Sequence, residues 1–164
     1  MVSFIYPVSP LDSRESITPA RLQQFSHLYM LVAGQASSVK RDDISRIVDS
    51  GNVLLVVRSS TDEFIGMCTV GFTQLLEGTV ATIRDLAVLP AHQGQSLGQK
   101  LCLAATMVAK SREVVRIEGS VTTQKERQLL EPFHFKGPVP SVMWRNPRTF
   151  AGEDYDTTGI RIPI

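Results

Sequence analysis

Residues 79–111 read TVATIRDLAVLPAHQGQSLGQKLCLAATMVAKS. The opening run, TVATIRDLAV, is β-branched and apolar and predicts a strand over 79–88. A loop bearing Pro90, Gly94 and Ser96 follows. Leu97, Leu101, Ala104, Ala105 and Val108 then recur at helical spacing, which predicts a helix over 98–112. A strand that stops at a Gly-bearing loop opening a helix leaves the first helical N–H groups without intrahelical acceptors. The helix dipole adds partial positive charge at the same place. The junction is therefore a candidate anion site, and a phosphorylated ligand is its natural occupant.

Outward from this junction the chain alternates between the two periodicities. Upstream, 4–8 reads as a first, edge-type strand with Pro7 and Pro10 close by. Thr18-Pro19 reads as an N-cap and first helical position, and Leu22, Phe25, Leu28, Tyr29 and Val32 continue the helix to Gly34. A second helix spans 40–49, and β-branched runs predict strands over 53–58 and 64–75, the longer one bent at Gly66 or Gly71. Downstream, 114–121 is another strand. A strand–helix–strand unit of this size implies a parallel pair with a right-handed crossover. A short helix over 123–131 is ended by Pro132, and 133–135 and 139–144 read as two last strands. The fold class is mixed α/β, one domain over 1–145, with a polar, aperiodic arm over 146–164.

Bulk properties bound the function. A chain of 164 residues suggests one domain, large enough to bury roughly 70% of its unfolded surface. A net charge of +1 supplies no global field to recruit nucleic acid or an anionic membrane. The start, MVSFIYPVSPLDS, has no basic n-region and no long apolar run, so no secretory signal is expected. No stretch approaches the ~20 apolar residues of a membrane span. Cys68 and Cys102 form no CxxC pair and read as buried thiols of a reducing, cytoplasmic compartment. His27, His92 and His134 lie far apart, and no metal site is expected. GxxxxGK[ST] and GxGxxG are absent, which excludes a P-loop and a Rossmann fingerprint.

With this order of elements and the segment LAVLPAHQGQSLGQKL, the chain resembles the GCN5-related N-acetyltransferases (GNAT). That family's signature is Arg or Gln, two residues, Gly, one residue, then Gly or Ala. Gln93, Ser96 and Gly98 fall on those positions, with Ser96 standing where the family has Gly. The resemblance implies a mostly antiparallel central sheet with a splayed parallel strand pair and flanking helices. It also implies acetyl-CoA as co-substrate, with amides around Gln93, Gly94, Gln95, Ser96, Leu97, Gly98 and Gln99 holding the pyrophosphate. The strand end at Leu86, Ala87 and Val88 would bond the pantetheine arm. Ser96 is small and is expected to fit the helix start at negative φ.

Acetyl transfer by direct attack needs a neutral amine, so a group must take its proton. Glu118 lies mid-strand in VVRIEGSV and matches the family's basic Glu, five residues before an Asn register that falls on Thr123. The alternative is a surface carboxylate paired with Arg116. Asp85, beside Arg84 on the strand before the loop, is the second candidate, for proton removal or for orienting substrate. The family's acidic Tyr falls on Leu130, with Phe135 at the Phe register that follows. Tyr29 and Tyr155 are the remaining phenols, and Tyr29 suits the core of its helix. His92, Lys100 and Lys125 are candidate phosphate contacts or solvated surface groups. The expected partner is a small-molecule or peptide amine, with a homodimer open. Two rival readings are a non-catalytic acyl-CoA sensor and an interaction subunit on the same scaffold.

Overall fold

A computed structural model of the chain describes residues 6–120, 128–133 and 141–145. Phe4, Thr123, Lys125, His134, Phe135 and the expected arm 146–164 with Tyr155 lie outside them. One six-stranded sheet runs β1 (Val8–Pro10), β2 (Val53–Arg58), β3 (Phe64–Leu75), β4 (Gly78–Val88), β5 (Arg116–Ser120) and β6 (Ser141–Arg145), each strand beside its sequence neighbour. Every pairing is antiparallel except that of β4 with β5. α1 (Pro19–Ala33) and α2 (Arg41–Asp49) precede β2, and α3 (Leu97–Ser111) joins β4 to β5. A parallel return requires such a crossover, which is why a long helix lies there.

Local chemistry sets the helix ends. The Thr18 hydroxyl accepts the Arg21 N–H at 3.3 Å, with Pro19 opening α1. Gly34 closes it in the left-handed region (φ 68°), donating its N–H to Met30 O at 3.0 Å. In α2 the Asp43 carboxylate accepts the Lys40 N–H at 2.9 Å.

The apolar run VLLVV of β2 is buried on both faces. Leu55 and Val57 face one core cluster with Ile65, Ala81, Ile83, Ile117 and the Leu101, Ala105 and Val108 stripe of α3. Leu54 and Val56 face the other, with Met67, Ala87, and Phe25, Leu28 and Ile44 of α1 and α2. A strand covered on both sides reads as continuous rather than alternating.

Two boundaries differ from the sequence expectation. The first strand is centred later, with Val8 opposite Val57 and Pro10 opposite Leu55, on an edge where Pro is tolerated. Pro132 sits inside a 3₁₀ turn, Glu131–Phe133, that follows the helical turn 128–130, so Phe133 is not in a strand. A first turn needs no N–H there, and the fixed φ of Pro suits it. The register of β3 against β2 does shift beside Gly66, where Val57 pairs with Gly66 and Arg58 with Phe64, and a second irregularity lies against β4. Met67 pairs with Ala87 and Thr69 with Arg84, so Cys68 alone opposes both Asp85 and Leu86. The extra residue is on β4, where Asp85 adopts φ 55°. Gly66 is small for a packing reason: a Cβ there would lie 3.1 Å from Val57 Cγ2 and 3.2 Å from Ala87 O.

Candidate functional site

The bulge at Asp85 coincides with the place where two strands part. The β4–β5 pairing runs from Val80 with Arg116 to Ile83 with Gly119 and stops. β4 continues beside β3 as far as Val88, opposite Gly66. Leu86, Ala87 and Val88 therefore have, among the described residues, no strand on their β5 side. An inserted residue kinks and over-twists its strand, which turns the end of β4 away from β5.

The gap leads to the N-terminus of α3. After β4 a 3₁₀ turn, Pro90–His92, reverses the chain. The Gln93 side-chain amide donates to Val88 O at 3.1 Å and ties the loop back to the strand end. Gly94 (φ 80°) and Ser96 (φ 59°) both take left-handed conformations. The expectation of negative φ at Ser96 is thus corrected: the turn into α3 still demands the geometry that a Gly would adopt freely. Among the described residues no side chain caps α3, and its first turn carries no acidic residue. The first backbone bond of the helix is Lys100 N–H to Ser96 O at 3.0 Å. The N–H groups of Leu97, Gly98 and Gln99 precede that bond, lack helical acceptors and point out of the helix end. Gly98 faces Leu129, whose Cδ1 would lie 3.1 Å from a Cβ at that position. The sequence-predicted loop residues 93–99 and strand-end residues 86–88 are thus brought together.

The two candidate carboxylates flank the parting point. Glu118 immediately precedes Gly119, the last β5 residue paired with β4, and Asp85 lies two residues beyond Ile83, its partner. Ile117, Ala81 and Ile83 pack on the α3 side, so by alternation Glu118 projects to the opposite, α1/α2 face. Asp85 faces that side as well, lining a cavity of about 300 Å³ with Phe25, Tyr29, Ile44, Ile47 and Met67. The electrostatic settings differ. Glu118 is a third exposed and accepts from Arg116 Nε at 2.7 Å, while Arg116 also pairs with Glu77. The pairing of Glu118 with Arg116 given as the alternative in the sequence is present, because Arg116 shares its face two residues away. No hydrogen bond or ion pair engages Asp85 among the described residues.

Several other residues land away from their expected surroundings. His92 is not an exposed loop imidazole: its Nδ1 is buried without a partner, and its ring meets Tyr6 edge-on at 5.8 Å. Leu130, at the position of the expected Tyr, is core, 2% exposed. Tyr29 does pack in the α1/α2 cluster as expected, yet it also borders the cavity. That cavity was missed in the sequence because its walls come from distant segments. The helical periodicity of Phe25 and Tyr29 was the only available signal. Cys68 and Cys102 are free and buried. Burial, with Cys102 and Asp85 adding to it, pushes the Cys68 thiol well up, and burial pushes that of Cys102 up to about 12. Neither is set up as a nucleophile. No helix of the described residues is long and apolar enough to cross a membrane, and no metal-ligating cluster occurs among them.

The model of the acetyltransferase (GNAT) family matches residues 19–135. No curated protein matches the chain by sequence. Among solved structures the chain is similar to an acetyltransferase of Trypanosoma brucei, with TM-score 0.65 and 18% identity over 81% of this chain and 94% of that one. It is also similar to glucosamine-6-phosphate N-acetyltransferase from Arabidopsis thaliana, with TM-score 0.62 and 14% identity over 81% and 92%. A predicted acetyltransferase with acetyl-CoA from Clostridium acetobutylicum has TM-score 0.62 and 12% identity over 82% and 92%. At these identities the likeness is one of fold.

Proposed function

The chain belongs to the acetyltransferase (GNAT) family, and from that premise we propose that it transfers an acetyl group from acetyl-CoA to a primary amine by direct attack in a ternary complex. The observation that carries this reading is the parting of β4 from β5 beside the uncapped N-terminus of α3. A long, thin ligand with a diphosphate fits that arrangement. Its amide-bearing arm would take the place of the missing strand along Leu86, Ala87 and Val88. Its phosphates would meet the N–H groups from Gly94 to Gln99, with Gln93 holding the loop in place.

The co-substrate supplies an activated thioester carbonyl. A neutral amine attacks that carbon, the C–N bond forms, the C–S bond breaks, and the thiolate leaves with uptake of a proton. Glu118 is proposed for removal of the amine's proton, directly or through water. Asp85, on the same face beyond the parting point, is proposed to orient the acceptor nitrogen. The acceptor, a small molecule or peptide, would enter from the α1/α2 face.

A second reading has one specific observation in its favour. Leu130 is buried where the family's pattern has a Tyr, so no phenol at that position can protonate the leaving thiolate. A non-catalytic acyl-CoA-binding module on this scaffold accommodates that substitution.

Thiol release measured with acetyl-CoA and a panel of amines, beside Glu118→Gln, separates the readings. Acetyl-CoA at a hundred times its dissociation constant should stabilise the fold by about 2.7 kcal/mol. Turnover reduced in Glu118→Gln supports the assignment, and unchanged turnover removes Glu118 from it. A thermal shift without thiol release for any amine selects the binding module. Absence of any shift overturns both.

A further inference from the structure

Resting on the acyl-transfer reading, we propose that the acceptor is a small cationic amine with a compact apolar body, and that Asp85 recognises its charge. The cavity on the α1/α2 face is about 300 Å³, at the small end of the range of roughly 300–1,000 Å³ for small-molecule sites. Its walls are mostly hydrocarbon: Phe25, Ile44, Ile47, Leu54 and Met67. Two carboxylates reach it, and only one is available. Asp43 already accepts the Lys40 N–H at 2.9 Å and an Arg46 guanidinium N–H at 2.5 Å. Asp85 is engaged by nothing among the described residues and is held on the cavity wall by the bulge.

A carboxylate without a cationic partner in a mostly apolar wall is a site for one positive charge. An ammonium satisfies it, whereas a neutral or anionic group leaves it unpaired. Among the described residues no Lys, Arg or His lines the cavity, so a phosphate or carboxylate on the acceptor would have no cation to meet. A polyamine would bring further ammonium groups, for which the lining offers Asp43, already paired with Arg46, and the hydroxyls of Ser37, Ser38 and Thr69. A single ring or branched alkyl chain on a primary amine matches both the volume and the lining.

The test is calorimetric titration of the full chain, free and saturated with CoA, with four probes: 2-phenylethylamine, its uncharged analogue 2-phenylethanol, spermidine and glucosamine 6-phosphate. The expected result is binding of 2-phenylethylamine at least about tenfold tighter than the other three. Asp85→Asn should weaken it by about ten- to a hundredfold while leaving 2-phenylethanol and CoA binding unchanged. Ile47→Trp, which fills the cavity, should abolish it, with circular dichroism reporting that each variant is folded. Tighter binding of spermidine or glucosamine 6-phosphate overturns the proposal. So does undiminished amine affinity in Asp85→Asn, including the case in which only kcat falls. Failure of CoA to bind while the amine still binds through Asp85 sinks the acyl-transfer reading and leaves this site standing.

Discussion

A Cβ on Gly98, in the first turn of α3, would stand 3.1 Å from Cδ1 of Leu129, in the helical turn that precedes Glu131–Phe133. The absence of a side chain at Gly98 thus has two consequences. It keeps the helix end open to a ligand, and it lets the segment carrying Leu129 and the buried Leu130 close over α3. Gly98→Val is expected to destabilise the fold by about 1–3 kcal/mol through overpacking. Leu129→Ala introduced into that variant should recover part of the loss, since the clash is with the tip of a flexible side chain. Chemical denaturation of the four members of this double-mutant cycle measures the coupling. Additive effects would mean that the two residues do not share the contact.

Ser96 supplies a second prediction. It stands at φ 59° with no cap hydrogen bond from its side chain. A left-handed L-residue costs about 1–2 kcal/mol, against about 0.4–1 kcal/mol of added unfolded-chain entropy for Gly. Ser96→Gly is therefore expected to raise stability by roughly 0.5–1 kcal/mol, seen as a higher Tm. Affinity for acetyl-CoA should be maintained or improved, because the loop geometry is unchanged. A lower Tm would mean that the Ser96 hydroxyl contributes more than the backbone strain costs.

The buried thiols give a pH dependence. Cys68 and Cys102 are raised in the folded state, Cys102 to about 12, and in an unfolded chain they ionise near ~8.5. As pH rises above ~8.5 the unfolded state sheds protons that the folded state keeps, so unfolding becomes more favourable. Stability is fully present below that point and falls toward pH 12 by at most about 1.4 kcal/mol per pH unit per thiol. Urea titrations between pH 8 and 10.5 should show this slope, and Cys102→Ala should reduce it. At pH 8 both thiols should resist a thiol reagent until the chain unfolds. Rapid labelling of the native protein would contradict their burial.

The local grammar of the chain was legible before the structure. VLLVVR and FIGMCTVGFTQL become β2 and β3 with the boundaries expected, and Thr18-Pro19 and Gly34 bracket α1 as their chemistry requires. The parallel pair around α3 follows from the size of the strand–helix–strand unit, whereas the grouping of residues 86–88 with 93–99 is implied by the family resemblance. The local features rest on hydrogen bonds and side-chain periodicity within a few residues of one another, which is information that sequence carries directly.

What the tertiary structure alone decided are relations between distant segments. One residue of β3 opposes two of β4, which puts the bulge at Asp85 and parts β4 from β5. No local propensity records which strand of a pair takes the extra residue. Arg116 joins Glu118 to Glu77 of the turn before β4, which extends the Arg116–Glu118 pairing open in the sequence to a segment distant from both. The cavity joins Phe25, Ile44, Met67 and Asp85, each of which reads in isolation as ordinary core or surface. Periodicity says which face a residue occupies. Only the packed sheet says what stands opposite it, because register and cavity shape arise from contacts between segments far apart along the chain.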